Sequence, residues 1–342
     1  MATYLNYPFD PELFLYNWKN AEDPVKTRLF QSSAVVNNPE IQRLISNGSD
    51  FYTIPFYAVL GGTPENYDGA TTITLDTPTG VAQNGIVYGR AHGWKAQDFV
   101  VDYNSGADPM TQIASQVAHY WNKQRQAIML GILGAVFGIT GSGATASWNN
   151  HTTDISSAST TVTAANKLGA TTAGDAITAA VGDNADKFDL CFMHSAVANG
   201  LAGLQLLDFL KYTDANGIER PLRIGTYNGL TVIIDDGCPV TAATQSVAAK
   251  YTTYFLGSGA IQFAPTPVKN AAEVTRDALT AGGFDALVTR IRETIHPNGF
   301  SFTKPGSGYT ASPTTAQLSA YANWSIVADP KNIALAKVVS NA

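Results

Sequence analysis

A chain of 342 residues can bury a sizeable core, as one large domain or two smaller ones. Charged residues make up only 14% against 45% hydrophobic, with formal net charge −6. That charge content is well below the roughly 25% of ordinary soluble domains. Much of the surface, rich in Ala, Thr, Gly, Ser and Asn, is therefore expected to meet other protein. No run of Lys or Arg offers tight phosphate binding. The opening Met1-Ala2-Thr3-Tyr4-Leu5 lacks a secretory pattern, and the longest apolar run, 127–139, falls short of the about 20 residues that cross a bilayer. Cys191 and Cys238 are the two cysteines, both expected reduced in a soluble cytosolic product.

Residues 1–50 read as an arm, with Tyr7, Phe9 and Trp18 among its dense aromatics and a short helix expected after Asp23-Pro24. Residues 51–105 hold strand-like pieces at 71–75, 85–90 and 99–103, separated by Gly-Pro turns. A two-armed excursion of this length is able to reach beyond its own domain. From Asp108-Pro109, apolar residues Ile113, Val117, Tyr120, Trp121, Ile128, Ile132 and Val136 recur at helical spacing. A helix to about Phe137 spans about 43 Å. Its second half is apolar nearly all round, and Gly131 and Gly134 are both expected to permit close packing there.

Residues 138–165 contain one formal charge, Asp154, and read as a long loop. Helix is expected over 167–181, ended by Gly182. A strand follows at 188–192, then a helix over 196–210 capped by Ser195. Three hairpins are expected: 222–227 with 230–235 across Asn228-Gly229, 252–256 with 260–264, and 287–296 with 300–303. A short helix from Ser312-Pro313 and a strand at 333–339 close the chain.

The chemistry-bearing residues do not assemble into a site. Cys191 and His194 lie three apart on a strand, so their side chains point to opposite faces. Asp235-Asp236 before Gly237 is ordinary turn chemistry, and adjacent carboxylates at a strand end diverge. His92, His119, His151 and His296 show no ligand spacing. Phosphate-loop, dinucleotide and nucleophile-elbow motifs are missing. No catalytic residue, cofactor or metal is assigned.

The order of the parts and the wording of several stretches resemble the Hong Kong 97-type capsid subunit, in its phage coat-protein branch. The matching stretches run from Phe56-Tyr57 to Gly93-Trp94-Lys95 with Asp98, and from Asp108-Pro109 through the helix to Phe137. They continue from Gly182-Asp183-Asn184 to Met193-His194-Ser195, then Asp235-Asp236-Gly237-Cys238-Pro239-Val240 and 251–261. Glu273, Arg276-Asp277-Ala278, His296-Pro297-Asn298-Gly299-Phe300 and 312–324 complete them. The resemblance implies an α+β fold divided into an arm (1–50), an extended loop (51–105), a peripheral domain (106–182 and 291–342, spine helix about 109–137) and an axial domain (183–290).

It also implies a non-enzymatic shell subunit, the major capsid protein of a tailed phage, made in the host cytoplasm and located in the virion. Its partners would be copies of itself in hexamers and pentamers, a portal protein, and double-stranded DNA held without sequence specificity. Because the arm begins at Met1, a separate scaffolding protein is expected. No membrane partner is expected. Tyr7, Phe9, Trp18, Tyr67, Tyr88, Trp94 and Lys95 are the expected inter-subunit contacts, and Lys95 leaves Lys–Asn cross-linking open. The rival readings are a cellular nanocompartment shell of the same fold and a cytosolic α+β hydrolase using Cys191 or Asp235; a tail or decoration protein fits the long helix poorly.

Overall fold

A computed structural model describes residues 29–342 except 31, 47, 58–59, 61, 78–79, 100–108, 214–218, 281 and 307, together with residues 3–4 and 7–8. The expected helix after Asp23-Pro24 and residues 100–103 of the expected third strand lie outside the described residues. β1 (Thr3–Tyr4) and β2 (Tyr7–Pro8) pair antiparallel. β3 (Val35–Asn37) leads into the helix Pro39–Ile45. There the Asn38 side-chain oxygen accepts from the Glu40 and Ile41 backbone N–H groups at 3.0 and 3.3 Å, and Pro39 occupies the first turn. Leu29, Ala34, Ile41 and Ile45 are buried completely. The described residues of 29–46 are therefore packed into the folded body.

β4 (Phe51–Tyr57) and β5 (Gly80–Ile86) form an antiparallel two-stranded ribbon, in register from Phe51 opposite Ile86 to Tyr57 opposite Gly80. The expected strand at 71–75 does not form. Side chains take the backbone N–H groups instead: Asp68 accepts from Ala70 and Thr71 at 2.9 and 2.7 Å, and Glu65 from Thr74 at 2.8 Å. β6 (Tyr88–Gln97) then joins a different sheet.

The spine helix Pro109–Val136 has 28 residues. It buries Trp121, Ile128, Met129, Ile132, Leu133 and Val136. The stretch after it is not the long loop expected. It contains the 3₁₀ turns Gly143–His151 and β7 (Thr152–Asp154), and Trp148 is buried with its indole N–H donating to the Val136 carbonyl at 3.2 Å. One large aromatic pins a segment whose composition reads as loop. The next helix, Thr172–Val181, starts later than expected because Lys167 forms a bridge with Asn341 and the Thr172 hydroxyl accepts from Gly169 N–H.

β8 (Phe188–Met193) is followed by the helix Ser195–Gly203, whose cap is His194 and not Ser195: the imidazole Nδ1 accepts from Ala196 N–H at 3.0 Å. This helix stops before 210, and the remainder becomes β9 (Asp208–Thr213).

β10 (Glu219–Tyr227) and β11 (Leu230–Ile234) make the expected hairpin, with Asn228 and Gly229 both at positive φ, 52° and 82°. β12 (Val240–Thr241), β13 (Lys250–Gly257) and β14 (Ile261–Thr266) follow. β13 and β14 do not pair with each other as expected. Gly257 N–H bonds to the Ala334 carbonyl and Ile261 N–H to the Ala34 carbonyl, so the turn carries the chain from one sheet to the next. β15 (Ala272–Asp277) and the long β16 (Phe284–Pro297) pair antiparallel. β17 (Phe300–Phe302) turns away from β16 to pair with β18 (Trp324–Ile326), beyond the short helix Thr315–Leu318, and β19 (Leu335–Ser340) ends the fold.

Two main sheets result. One runs β7-β19-β13-β8-β11-β10-β9 with β12 beside β13; the other runs β15-β16-β14-β3 with β6 on the free side of β16. β8 shows how the first is held. Leu190 and Phe192 enter a core shared with the spine helix, while Cys191 and Met193 enter a second core under helices 172–181 and 195–203. A sheet covered on both faces needs apolar residues in both phases of its central strands.

The two spine glycines differ, contrary to the expectation that both pack closely. A Cβ at Gly131 falls on the Ser319 hydroxyl, whereas one at Gly134 meets nothing within 4 Å. Gly131→Leu is thus expected to destabilise by about 1–3 kcal/mol through overpacking. Gly134→Ala should leave stability unchanged or raise it by up to about 1 kcal/mol; chemical denaturation of both variants checks the pair.

His296 sits wholly buried between Tyr52 and Trp324, with Nε2 against the Phe300 carbonyl at 2.9 Å and Nδ1 without a partner. Burial pushes its pKa down to about 4. A depressed histidine keeps its full contribution above the unfolded value near 6.5 and loses it as pH falls toward the folded value. Stability should therefore drop by about 3 kcal/mol between about pH 6.5 and 4 from this residue. Thermal melts across that window, compared with His296→Asn, read the difference as a shallower slope in the variant.

Candidate functional site

The groups that sequence singled out for chemistry are taken up by the fold. The Cys191 thiol is fully buried and burial pushes its pKa up; Cys238 lies in the opposite core, and its thiol is raised for the same reason. His194 spends Nδ1 on the helix cap. Its Nε2 stands 3.7 Å from Asp236, on the surface. The two aspartates diverge. Asp235 is buried, accepting from Gln126 Nε2 at 2.9 Å and Gly237 N–H at 2.8 Å, while Asp236 accepts from Ser195 N–H at 3.3 Å. Among the described residues no three His, Cys, Asp or Glu side chains come together.

What the geometry builds instead is a rigid body with a projecting ribbon. The spine helix is tied to the sheets by three polar anchors. Trp121 Nε1 donates to the Thr289 hydroxyl at 3.1 Å, Gln126 holds Asp235, and Arg125 Nε meets Glu293 at 2.8 Å. Glu293 is 1% exposed, and Tyr88 adds a hydroxyl donor at 3.0 Å. The rings of Phe30 and Phe263 lie 5.8 and 5.7 Å from the Arg125 guanidinium. Burial raises the Glu293 carboxyl above its ordinary value, an effect that Arg125 and the Tyr88 hydroxyl offset only in part, and burial drives the Tyr88 phenol well up.

Among the described residues the ribbon is anchored at its root. Lys304 reaches Asp50 at 2.9 Å between the rings of Phe51 and Tyr309, and the Ser301 hydroxyl accepts from Asn84 N–H at 3.0 Å. Lys304 holds the Asp50 carboxyl below the usual carboxylate range. Gly85 faces Tyr52 across the ladder, and the ring lies where a Cβ would be. Beyond the root, Tyr57, Leu60, Ile73 and Leu75 are exposed, and Tyr67 is 95% exposed.

Of the expected contact residues, Tyr67 stands free at the tip and Lys95 lies exposed above the Phe284 ring at 5.5 Å. Trp94 is half-buried, edge-on to Tyr120 and His92. Tyr88 is a correction. It is 1% exposed and bonded to Glu293, so it belongs to the subunit's own core and is not available to a neighbour. Tyr7 lies in β2, while Phe9 and Trp18 fall outside the described residues.

Sequence reading missed the Arg125–Glu293 pair. A carboxylate among Thr289, Ile291 and Ile295, all in the same phase of a strand, was the available signal, because an inward charge demands a partner. Glu293→Gln leaves the Arg125 guanidinium without its counter-charge and should cost about 3–5 kcal/mol. The double replacement Arg125→Met with Glu293→Met should cost clearly less. Denaturant midpoints of the single and double variants make the comparison.

No family model matches the chain. Its sequence is 28% identical over 313 residues to the major capsid protein of Bacillus phage SPP1, covering 89% of this chain and 88% of that one. Among solved structures, the capsid of Ralstonia phage GP4 superposes with a TM-score of 0.61 at 10% identity, over 94% of this chain and 93% of the other. The cyanophage Pam1 capsid gives 0.59 at 12% identity, over 94% of both. Those structures establish the fold, and the likeness in sequence runs through both the rigid body and the ribbon. In sequence the chain is thus similar to a phage major capsid protein, and its α+β fold is that of phage capsid subunits of the Hong Kong 97 type.

Proposed function

We propose that the chain assembles through hexamers and pentamers into an icosahedral shell around double-stranded DNA. It is made in the host cytoplasm, with a separate scaffolding protein and a portal protein as partners, and performs no catalysis. The boundaries 1–50, 51–105, 106–182 with 291–342, and 183–290 then describe arm, extended loop, peripheral and axial parts, with the inner end of the arm built into the body. In this reading Tyr67, Trp94 and Lys95 touch neighbouring subunits, as do Tyr7, Phe9 and Trp18 of the arm.

One observation carries the assembly reading: the β4–β5 ribbon extends large apolar side chains that its own chain leaves bare. Two-stranded ribbons are marginal in water unless another surface packs on them, and bare apolar patches of this kind mark protein contacts. Low overall charge supports the same conclusion. The missing basic run suits a container that has to release its DNA.

Deleting residues 62–77 is expected to leave the body folded, with a melting temperature within a few degrees of the parent, while abolishing closed shells in electron micrographs. Intact particles of equal stability would remove the ribbon from the interface. Nucleic acid or scaffold inside purified shells is the expected content; enclosed enzyme would favour the nanocompartment reading.

A further inference from the structure

His296 stands where the ribbon meets the body. It shares a phase of β16 with Arg292 and Thr294, which turns away from the spine helix. The rings of Tyr52 in β4 and Trp324 in β18 lie against the imidazole, with centres 6.1 and 5.7 Å away. Tyr52 is also pressed onto Gly85 of β5, and its hydroxyl meets Thr294 at 3.3 Å. One aromatic side chain of the ribbon thus closes the body over a wholly buried histidine.

Polar partners are scarce at this joint. A carbonyl can only accept, so Nε2, facing Phe300 at 2.9 Å, carries the hydrogen and Nδ1 is left as a bare lone pair. Gln262 lies directly opposite His296 across the ladder, and its side-chain oxygen has no partner. The Gln83 amide nitrogen, on the same ribbon face as Tyr52, has none either.

Charge to balance a second proton is missing as well. The strands around the ring, β4, β5, β14, β17 and β18, contain no Asp, Glu, Lys or Arg. Tyr52 is the titratable group against the imidazole, and burial raises its phenol far above neutral. On β16 itself, Arg292 is a like charge four residues back, donating to the Gly48 and Ser49 carbonyls. Arg290 holds Glu273, and Glu293 faces the other way toward Arg125. Asp50 and Lys304 bond each other at the ribbon's root, and His151 lies beyond the Phe300 ring, stacked on Trp148. An imidazolium here is a buried charge without a counter-charge.

The neighbours differ in how easily they yield. β14 is paired on both sides, with β16 and β3, and β18 is paired with β17. The ribbon strands pair only with each other and meet the body through side chains such as Tyr52, Asn84 and Asp50. Their departure breaks no sheet.

We propose that a proton on His296 releases the ribbon root: Tyr52 leaves the imidazole, water reaches Nδ1, and β4–β5 comes free of the body while both main sheets keep their pairing. The release belongs to the single subunit, whatever the ribbon touches in a shell. With the root closed, burial holds the imidazole down at about 4; with it open, the ring titrates near its ordinary 6.5. Opening therefore stays rare above pH 6.5 and grows about tenfold per pH unit below it.

Hydrogen exchange of the full chain at pH 7 and pH 5, corrected for the intrinsic rate, tests this. The opening constant of β4 and β5 peptides should be about thirtyfold larger at pH 5, while β8 and β13 peptides stay within about twofold. His296→Gln keeps a donor for the Phe300 carbonyl but takes no proton, and should abolish the rise. No rise in the parent chain, a rise shared equally by β8 and β13, or one retained in His296→Gln would overturn the switch. Should that variant fail to fold, Tyr52→Ala decides. It opens the imidazole to water in the closed state, so the ratio between the two pH values should fall toward one, and a ratio still near thirtyfold overturns the proposal.

Discussion

A carboxylate almost without solvent can be kept ionised only by a counter-charge, and Glu293 finds it in Arg125 of the spine helix. That requirement fixes the helix in translation and rotation against β16. Trp121, one turn before Arg125, bonds Thr289, four residues before Glu293, so two separate contacts set the direction in which the helix crosses the strand. With those two contacts set, Gln126 reaches Asp235 at the end of β11, and the eight-stranded sheet is placed relative to the five-stranded one. Apolar burial supplies most of the stability, as Met129, Leu133 and Val136 vanish into the core. It is indifferent to small slips, however, and the ion pair is not.

Both sheets depend on that placement in different ways. The eight-stranded sheet is covered on both faces and could tolerate little rearrangement without exposing Phe192 or Phe255. The five-stranded sheet is covered on one face by the helix, and among the described residues the other face is covered toward the end of β16 by the helix Pro39–Ile45 and residues 48–52. Its outer end therefore stays open for the same reason that its inner end is stable: the covering segment is short, and β16 outruns it.

The elements that were legible in sequence are those whose signal is local. Asn228-Gly229 demands positive φ at two successive residues, and a hairpin follows wherever strands flank it. The spine helix announces itself by period and by Asp108-Pro109. Asn38-Pro39 before Glu40 carries the same signal for the helix Pro39–Ile45, which went unread beneath the impression of an aromatic arm. The errors share another cause. Gly257-Ser258-Gly259 and Pro297-Asn298-Gly299 look like hairpin turns, yet each passes the chain between sheets, a choice made by distant partners such as Ala334 and Ile326. Tyr88 reads as a contact aromatic because nothing near it in sequence reveals Glu293, some two hundred residues away.

The ribbon shows most clearly how such a subunit divides its labour between folding and assembly. Its root is determined by its own chain, through Lys304 between Phe51 and Tyr309, the Ser301 hydroxyl on Asn84 and Tyr52 over Gly85. Its tip is shaped by Asp68 and Glu65 but stays exposed, since side-chain bonds to backbone can set a turn without burying any surface. A hairpin that buried its own tip would gain stability as a monomer and lose its reason to associate. One with an unshaped tip would lose more conformational entropy on docking, weakening each contact. An acidic tip that is pre-shaped and bare lies between these limits: its shape is specified in the single chain, and its apolar side chains stay open to a partner.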